Sequence, residues 1–342
     1  MRAIQFDQHG PIENLYLADI PVPAISPTEC LVKVKAVTLN GFDPMVMRGI
    51  LGLRTPLPMI PGADIAGEIV EMGKDVDSAQ FSVGQRVGVD PSSDRGMMGE
   101  TALGGLCEFV AVEASHLVAA PDAVDDHAVA CLPTAYATAH RMLFTRGQIE
   151  RGEKILILGA SGGVGTCCIQ LAKMAGCEVI AVTSSADKGE RLLAIGADHV
   201  IDISTTDYVA YIVENYGKPR TRGTSGGVDV CVNYSGGEDW AKCFRTVRRG
   251  GRILTCGATG GYDPKTDIRY IWSFEHTIVG SNGWGRDDHE KMFELMANGR
   301  IAPVIDRVVP MSGIQQAMHD LQDRKVIGKV VLEVGEEQGE SG

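Results

Sequence analysis

The pattern of apolar and polar positions divides the chain into a β-rich part and a part in which strands alternate with helices. In Cys30–Thr38, apolar residues alternate with lysines, which predicts a half-buried strand. Gly62–Val70 and Gly84–Val89 have a similar strand-like character. Asp90–Gly105 is rich in Gly, Ser, Asp and Met, which predicts a long loop. The N-terminal part of the chain is therefore predicted to be β structure.

From about Lys154 the pattern changes to short apolar strands separated by helices with one apolar face. Ile155–Leu158 is fully apolar, and a helix is predicted next over Val164–Ala175. Strands at Glu178–Thr183 and Val228–Asn233 continue the alternation. Strands that alternate with helices indicate a parallel sheet with right-handed crossovers. The predicted fold class is α/β, with a doubly wound parallel sheet and a separate β domain.

Composition limits the functional classes. The chain has 342 residues, enough for two domains, because single cores seldom grow beyond about 250–300 residues. Its net charge of −12 disfavours nucleic acid and anionic membranes as partners. No signal peptide is recognisable and no apolar run reaches the ~20 residues of a membrane helix, so a cytoplasmic protein is expected. The nine cysteines lack Cys-x-x-Cys spacing, as is typical of reduced core thiols.

The strongest local motif is the glycine-rich turn Gly159–Gly165, with the sequence GASGGVG. It follows the apolar strand and opens a helix, which is the context of a dinucleotide-binding turn. Glycines let the backbone approach a pyrophosphate, and the helix N-terminus offers free N–H groups. A purely structural glycine turn is the alternative. The motif predicts a Rossmann domain that binds a nicotinamide dinucleotide.

The residues about twenty positions further on favour the phosphorylated cofactor. NAD-binding proteins usually carry Asp or Glu there to hold the ribose 2′-hydroxyl. This chain instead has Thr183, Ser184 and Ser185, followed by Asp187 and Lys188. Hydroxyls and a lysine suit a 2′-phosphate, so NADPH is predicted, while Asp187 is expected to cap the next helix. A solvated helix lysine is the alternative interpretation of Lys188.

Together these motifs make the chain resemble the medium-chain dehydrogenase/reductase superfamily over nearly all of Met1 to Val334. The resemblance implies a GroES-like catalytic domain at residues 1–124, completed by residues 284–342. It implies a Rossmann NADPH-binding domain at residues 125–283. It also implies a homo-oligomer, either a homodimer or a homotetramer.

Zinc alcohol dehydrogenases of this superfamily bind their catalytic zinc through a cysteine, a Gly-His-Glu histidine and a second cysteine. The matching residues here are Asn40, Ala63 and Thr134, which lack the thiolate and imidazole donors of such a site. Asp90–Gly105 also lacks the cysteines of the family's structural zinc lobe. No metal is therefore expected. The alternative is a metal site rebuilt from other side chains, namely Asp43, Asp64 and Cys131.

The zinc-free branch is similar to quinone oxidoreductases and NADPH-dependent enone or enoyl reductases. Ala137–Phe144, Gly257–Tyr262 and Arg269–Trp272 resemble the reductase part of crotonyl-CoA carboxylase/reductases. That family has a histidine for carbon dioxide where this chain has Asn282, so reduction without carboxylation is expected. The predicted function is hydride transfer to a small electrophile: a quinone, an enone or an enoyl thioester. The alternatives are an alcohol or aldehyde dehydrogenase of the same superfamily and a non-catalytic NADPH-binding protein.

The resemblance also implies roles for individual residues. The catalytic candidates are Asn40, Asp43 and Thr138. Asn40 is the first candidate to donate to an enolate oxygen, with a neutral filler of the vacated cysteine position as the alternative. Asp43 orients a neighbour or is a buried loop carboxylate, and Thr138, expected to open the linker helix, contacts the cofactor. The other cofactor contacts are Ser161, Gly162, Gly163, Val164, Ser184, Lys188, Cys256, Gly257, Ala258, Asn282, Arg324 and Lys329. For Lys329, an ordinary surface charge is the alternative.

Overall fold

The computed structural model describes residues 1–93 and 96–335, and it divides into two compact units. Unit 1 comprises Met1–Thr134 together with Glu290–Gly342, as far as these residues are described. Unit 2 comprises Ala135–His289. Both ends of the chain therefore contribute to unit 1, and unit 2 is a single continuous segment.

The N-terminal part of unit 1 is mostly β structure. Its strands are β1 (Arg2–Gln5), β2 (Tyr16–Asp19), β3 (Glu29–Thr38), β4 (Asp64–Met72), β5 (Arg86–Val89), β6 (Ser92–Ser93), β7 (Gly96–Met97), β8 (Phe109–Glu113) and β9 (Leu117–Ala119), and its helices are α1 (Asp43–Arg48) and α2 (Asp126–Cys131). The antiparallel pair of β6 and β7 lies in Asp90–Gly105, for which the sequence predicts a loop. Residues 94–95 of that loop lie outside the described residues.

Helical structure continues beyond α2. A π-helical segment, Leu132–Ala137, leads into α3 (Thr138–His140), and a second π-helical segment covers Arg141–Arg146. The prediction that Thr138 opens a helix is therefore wrong, because the residues before it are already helical. Pro133 lacks the N–H that an α-helix uses, and the wider π turn accommodates it.

Unit 2 alternates strands and helices. Its further elements are β10 (Lys154–Ile157), α4 (Gly163–Met174), β11 (Glu178–Thr183), α5 (Ala186–Ala194), β12 (His199–Asp202), α6 (Tyr208–Tyr216), β13 (Val228–Val232), α7 (Asp239–Cys243), β14 (Val247–Thr255), α8 (Ile268–Ser273) and β15 (Thr277–Gly280). The sheet runs in the order β12-β11-β10-β13-β14-β15, and all neighbouring strands are parallel. This order is that of a doubly wound Rossmann sheet, so the predicted fold class is confirmed.

The sheet order of unit 2 also marks a binding position. From β10 the chain proceeds first towards β11 and β12, and it later returns to the other side of β10 with β13. Ligands of such sheets bind at this reversal, outside the carboxyl ends of the two strands. The turn Gly159–Gly165 follows β10, and Asn233 and Tyr234 follow β13. Both segments therefore lie at the expected ligand position.

The chain ends with α9 (Arg286–Ala297), β16 (Ile305–Pro310), α10 (Ile314–Gln322) and β17 (Lys329–Glu333). The main sheet of unit 1 has the order β16-β17-β3-β4-β5-β9, and β8 also pairs with β3. β3 is antiparallel to both β17 and β4, with Thr38 opposite Val331 on one side and Asp64 on the other. This register brings the end of β3 beside the starts of β4 and β17.

Candidate active site

Where these three strands meet, unit 1 holds a group of polar side chains that we call the lysine cluster: Asn40, Asp64 and Lys329, which are buried, and Thr134, which is half-buried. Asn40 follows the end of β3, Asp64 begins β4 and Lys329 begins β17. Thr134 lies in the π-helical segment after α2. Asp64 is 0% exposed and Lys329 is 2% exposed. Charged side chains are seldom buried to this degree unless they are paired.

Asp64 is the acceptor at the centre of the lysine cluster. Its Oδ1 accepts hydrogen bonds from the Thr134 backbone N–H at 2.9 Å and from the Thr134 hydroxyl at 2.5 Å. Its Oδ2 accepts from Asn40 Nδ2 at 2.9 Å, from Lys329 Nζ at 3.0 Å and from the Thr38 hydroxyl at 3.3 Å. A carboxylate has about four lone-pair sites, so its acceptor capacity is fully used.

Lys329 fixes the orientation of Asn40. Its Nζ donates to Asn40 Oδ1 at 2.6 Å as well as to Asp64. Because an ammonium group only donates, the Asn40 oxygen must face Lys329, and the Asn40 amide nitrogen then faces Asp64. The interpretation of Lys329 as a surface charge is wrong, since its side chain is buried in an ion pair.

Asp43 lies beside the lysine cluster, as the first residue of α1. It is 1% exposed, and its Oδ2 accepts the Asn40 backbone N–H at 2.6 Å, while its Oδ1 has no hydrogen-bond partner. Burial raises the pKa of Asp43 to about 7, although the nearby Lys329 charge opposes this rise. This carboxyl therefore orients the Asn40 backbone and changes its charge near neutral pH.

In unit 2, the turn Gly159–Gly165 has the backbone geometry of a phosphate-binding turn. Gly159 has a φ of +66°, a backbone conformation that residues other than glycine rarely adopt. A Cβ on Gly165 would lie 2.7 Å from Ala160 Cα, so this glycine permits close packing of α4 on the turn. The predicted cofactor contacts here, Ser161, Gly162, Gly163 and Val164, are all half-buried. The backbone N–H groups at the start of α4 can donate hydrogen bonds to an anion such as a phosphate.

The residues predicted to read the ribose phosphate lie at the end of β11. Ser184 is exposed just after the strand, and Lys188 is half-buried in the first part of α5. The hydroxyl of Thr183 is buried without a hydrogen-bond partner. The predicted cap at Asp187 is wrong: α5 begins after Ser185, and Asp187 lies in its first turn, where its charge suits the helix dipole.

A cavity of about 590 Å³ opens in unit 2 at the ends of β14 and β15. It is lined by four of the predicted cofactor contacts, Cys256, Gly257, Ala258 and Asn282. Ser281 also lines it, and its hydroxyl is buried without a hydrogen-bond partner. No sequence motif singles out Ser281, although it is adjacent to Asn282. The size and mixed lining are those of a small-molecule site.

Two other predicted cofactor contacts, Arg324 and Thr138, do not line this cavity. Arg324 is exposed in unit 1, just after α10, with a φ of 57°. Thr138 is 6% exposed within α3 and does not line the cavity. Their roles towards a cofactor stay predictions.

Two properties of the described residues bear on the functional class. None of the helices in this part of the chain combines the length and apolar character needed to span a bilayer. Within the same residues, no three or more His, Cys, Asp or Glu side chains come together as a set of metal ligands.

Family models match two segments of the chain. Residues 26–122 match the alcohol dehydrogenase GroES-like domain, and residues 163–298 match the zinc-binding dehydrogenase domain. Among curated relatives, the NADPH-dependent alkenal/one oxidoreductase of Arabidopsis thaliana is 31% identical over 97% of this chain and 79% of its own length. Crotonyl-CoA reductase of Streptomyces avermitilis is 29% identical over 96% of this chain and 84% of its own length. Quinone oxidoreductase of Rattus norvegicus is 28% identical over 97% of this chain and 97% of its own length.

Solved structures share the fold over nearly the whole chain. An NAD-dependent alcohol dehydrogenase is 29% identical with a TM-score of 0.89, covering 98% of this chain and 100% of the other. A 2-octenoyl-CoA carboxylase reductase in complex with NADP and 2-octenoyl-CoA is 26% identical with a TM-score of 0.84, covering 99% of this chain and 88% of the other. These matches support a nicotinamide cofactor, and the family contains both NAD-dependent and NADP-dependent members. The chain belongs to the medium-chain dehydrogenase/reductase superfamily, as an oxidoreductase of the quinone oxidoreductase and enoyl reductase branch.

Proposed function

We propose that this protein is an NADPH-dependent reductase that works without zinc and transfers hydride to a quinone or to a carbon–carbon double bond conjugated to a carbonyl. The observation that carries the proposal is the buried Lys329–Asp64 ion pair with Asn40 bonded to both partners. Asn40 and Thr134, which both donate hydrogen bonds to Asp64, match two of the positions at which zinc-dependent members of the family have their metal ligands.

The donor set does not fit a zinc ion. Asn40 and Thr134 offer neutral oxygens in place of thiolates, and Ala63 offers no donor. The one fully buried carboxylate of the cluster, Asp64, already accepts five hydrogen bonds. A dication bound by Asp64 would also have to share this carboxylate with the Lys329 ammonium, and the two positive charges would repel each other.

The same cluster suits an acceptor whose charge spreads over a conjugated system. When bound, the cofactor supplies the hydride. Reduction of a conjugated acceptor places negative charge on an enolate or quinol oxygen, which hydrogen-bond donors can stabilise. Lys329 uses two of its three N–H donors on Asn40 and Asp64, and Asn40 uses one of its two amide N–H donors on Asp64. We assign the remaining N–H of each residue to the substrate oxygen.

The preference for NADPH rests on the end of β11. Ser184 and Lys188 offer a hydroxyl and a positive charge where NAD-binding proteins usually carry an acidic residue. The relatives named for NADPH or solved with NADP support the same choice. Together with the cavity at Cys256, Ser281 and Asn282, these residues provide groups for the adenosine and nicotinamide ends of one dinucleotide.

The role of Asn40 is tested by Asn40→Ala. We expect kcat for an enone or quinone to fall at least tenfold while the Kd of NADPH changes less than twofold, because the lost amide faces the developing charge and not the cofactor. The matched control is Asn215→Ala on the exposed face of α6, which should leave both values unchanged. An unchanged kcat in Asn40→Ala would show that this residue only fills space.

One observation favours a second function. A solved structure with a TM-score of 0.89 to this chain is an NAD-dependent alcohol dehydrogenase. An alcohol or aldehyde oxidoreductase would have to stabilise a full charge on a single alkoxide oxygen. The lysine cluster offers one ammonium for this, already paired with Asp64, so we place this function second.

A further inference from the structure

Tyr234 is a residue to which no sequence motif assigns a role. It follows β13 by two positions, at the point where the sheet order of unit 2 reverses, and it is half-buried. Its hydroxyl donates a hydrogen bond to the Gly159 carbonyl. Burial raises the pKa of Tyr234, while a hydrogen bond from the Gly165 backbone N–H lowers it. The phenol oxygen therefore lies over the glycine-rich turn as a neutral hydroxyl.

The Tyr234 hydroxyl lies close to the positions that Cβ atoms on Gly162 and Gly159 would occupy. A Cβ built on Gly162 would lie 2.7 Å from the Tyr234 oxygen, and one on Gly159 would lie 3.2 Å from it. In a dinucleotide turn the third glycine allows helix packing, and the second lets the backbone approach the pyrophosphate. Gly165 packs against Ala160 as the third glycine does, so Gly162, three residues earlier, is the second. The Tyr234 hydroxyl thus occupies the space left open for the pyrophosphate.

The structure assigns Tyr234 to the dinucleotide site: its hydroxyl occupies the pyrophosphate position in the free protein and gives way to the pyrophosphate when the cofactor binds. This inference rests on the cofactor site of the proposed function and is independent of the substrate. The exchange is favourable because a phosphate oxygen accepts charge-assisted hydrogen bonds from the N–H groups of the turn, which are stronger than those of a neutral hydroxyl. Gly159 is exposed, so water can replace Tyr234 at its carbonyl.

Tyr234 therefore weakens cofactor binding, because the hydrogen bond from its hydroxyl to the Gly159 carbonyl must break before the pyrophosphate can bind. Tyr234→Phe keeps the ring and removes the hydroxyl. We expect it to lower the Kd of ADP-ribose and of NADPH about three- to tenfold, which is the range for one neutral hydrogen bond. The Kd of 2′-AMP, which has no pyrophosphate, should not change.

Calorimetric titration of the intact protein with these three ligands tests the inference. The matched control is Tyr211→Phe on α6, which should leave all three Kd values unchanged. As a second measurement, ADP-ribose should perturb the tyrosine ultraviolet absorbance of the wild type, and this perturbation should be lost in Tyr234→Phe. An equal or higher Kd for ADP-ribose in Tyr234→Phe, or a tyrosine perturbation that persists there, overturns the assignment of Tyr234 alone. If the wild type binds neither NADPH nor ADP-ribose, the proposed cofactor is wrong and this inference with it.

Discussion

At the scale of single residues, the charge of Lys329 is buried in unit 1 against the charge of Asp64. Its ammonium lies 3.0 Å from a carboxylate that is itself completely buried. Burying either charge alone is costly, because the lost hydration is not replaced. The two residues are 265 positions apart in the chain, so the pairing of β17 with β3 and of β3 with β4 creates the ion pair.

Lys329→Met is therefore expected to lower the free energy of unfolding by about 3–5 kcal/mol, since Asp64 keeps its buried charge without a partner. The double variant Asp64→Asn with Lys329→Met should recover part of this loss. Lys291→Met is the control, because Lys291 pairs with Glu294 on the surface and its loss should cost less than about 1 kcal/mol. Chemical denaturation of the four proteins measures all of these values. A Lys329→Met protein as stable as the control would rule out a buried charged pair.

At the scale of elements, the sequence predicts the strands and turns that are determined by a few neighbouring residues. The alternation in Cys30–Thr38 gives β3, and the apolar segment before Gly159 gives β10, because strand periodicity and turn chemistry are visible within a few residues. The opening of a helix at Thr138 is predicted wrongly, because the helical stretch accepts Pro133 by widening into a π turn. Tyr234 is missed because its contact with Gly159 joins residues 75 positions apart.

A further prediction concerns Lys188 in α5, at the proposed cofactor site. Lys188→Ala is expected to raise the Kd of NADPH at least tenfold, equivalent to ~1.4 kcal/mol, because we propose that the lysine charge faces the 2′-phosphate. The Kd of NADH, which lacks this phosphate, should stay almost unchanged. Lys218→Ala is the control at an exposed position of the same unit. Fluorescence titration of both cofactors gives the values, and equal losses for NADPH and NADH would show that Lys188 does not read the phosphate.

At the scale of the whole molecule, the family and the parallel sheet could be predicted from the sequence, and the chemistry of the lysine cluster could not. The absence of zinc-type ligands at Asn40, Ala63 and Thr134 is visible in the sequence. The Lys329–Asp64 ion pair beside Asn40 and Thr134 depends on strands from both ends of the chain. The sequence contains the residues of this site but not their proximity.

The most direct test of the proposed function is turnover of NADPH by the purified, metal-analysed protein with a panel of electrophiles and alcohols. We expect oxidation of NADPH by a quinone, an enone or an enoyl thioester, with no stoichiometric zinc and no loss of activity in chelator. This result follows from the proposed role of Lys329 and Asn40, which is to stabilise a delocalised anion. NADP⁺-dependent oxidation of simple alcohols without turnover of the conjugated acceptors, or one tightly held zinc per chain, would contradict the proposed function.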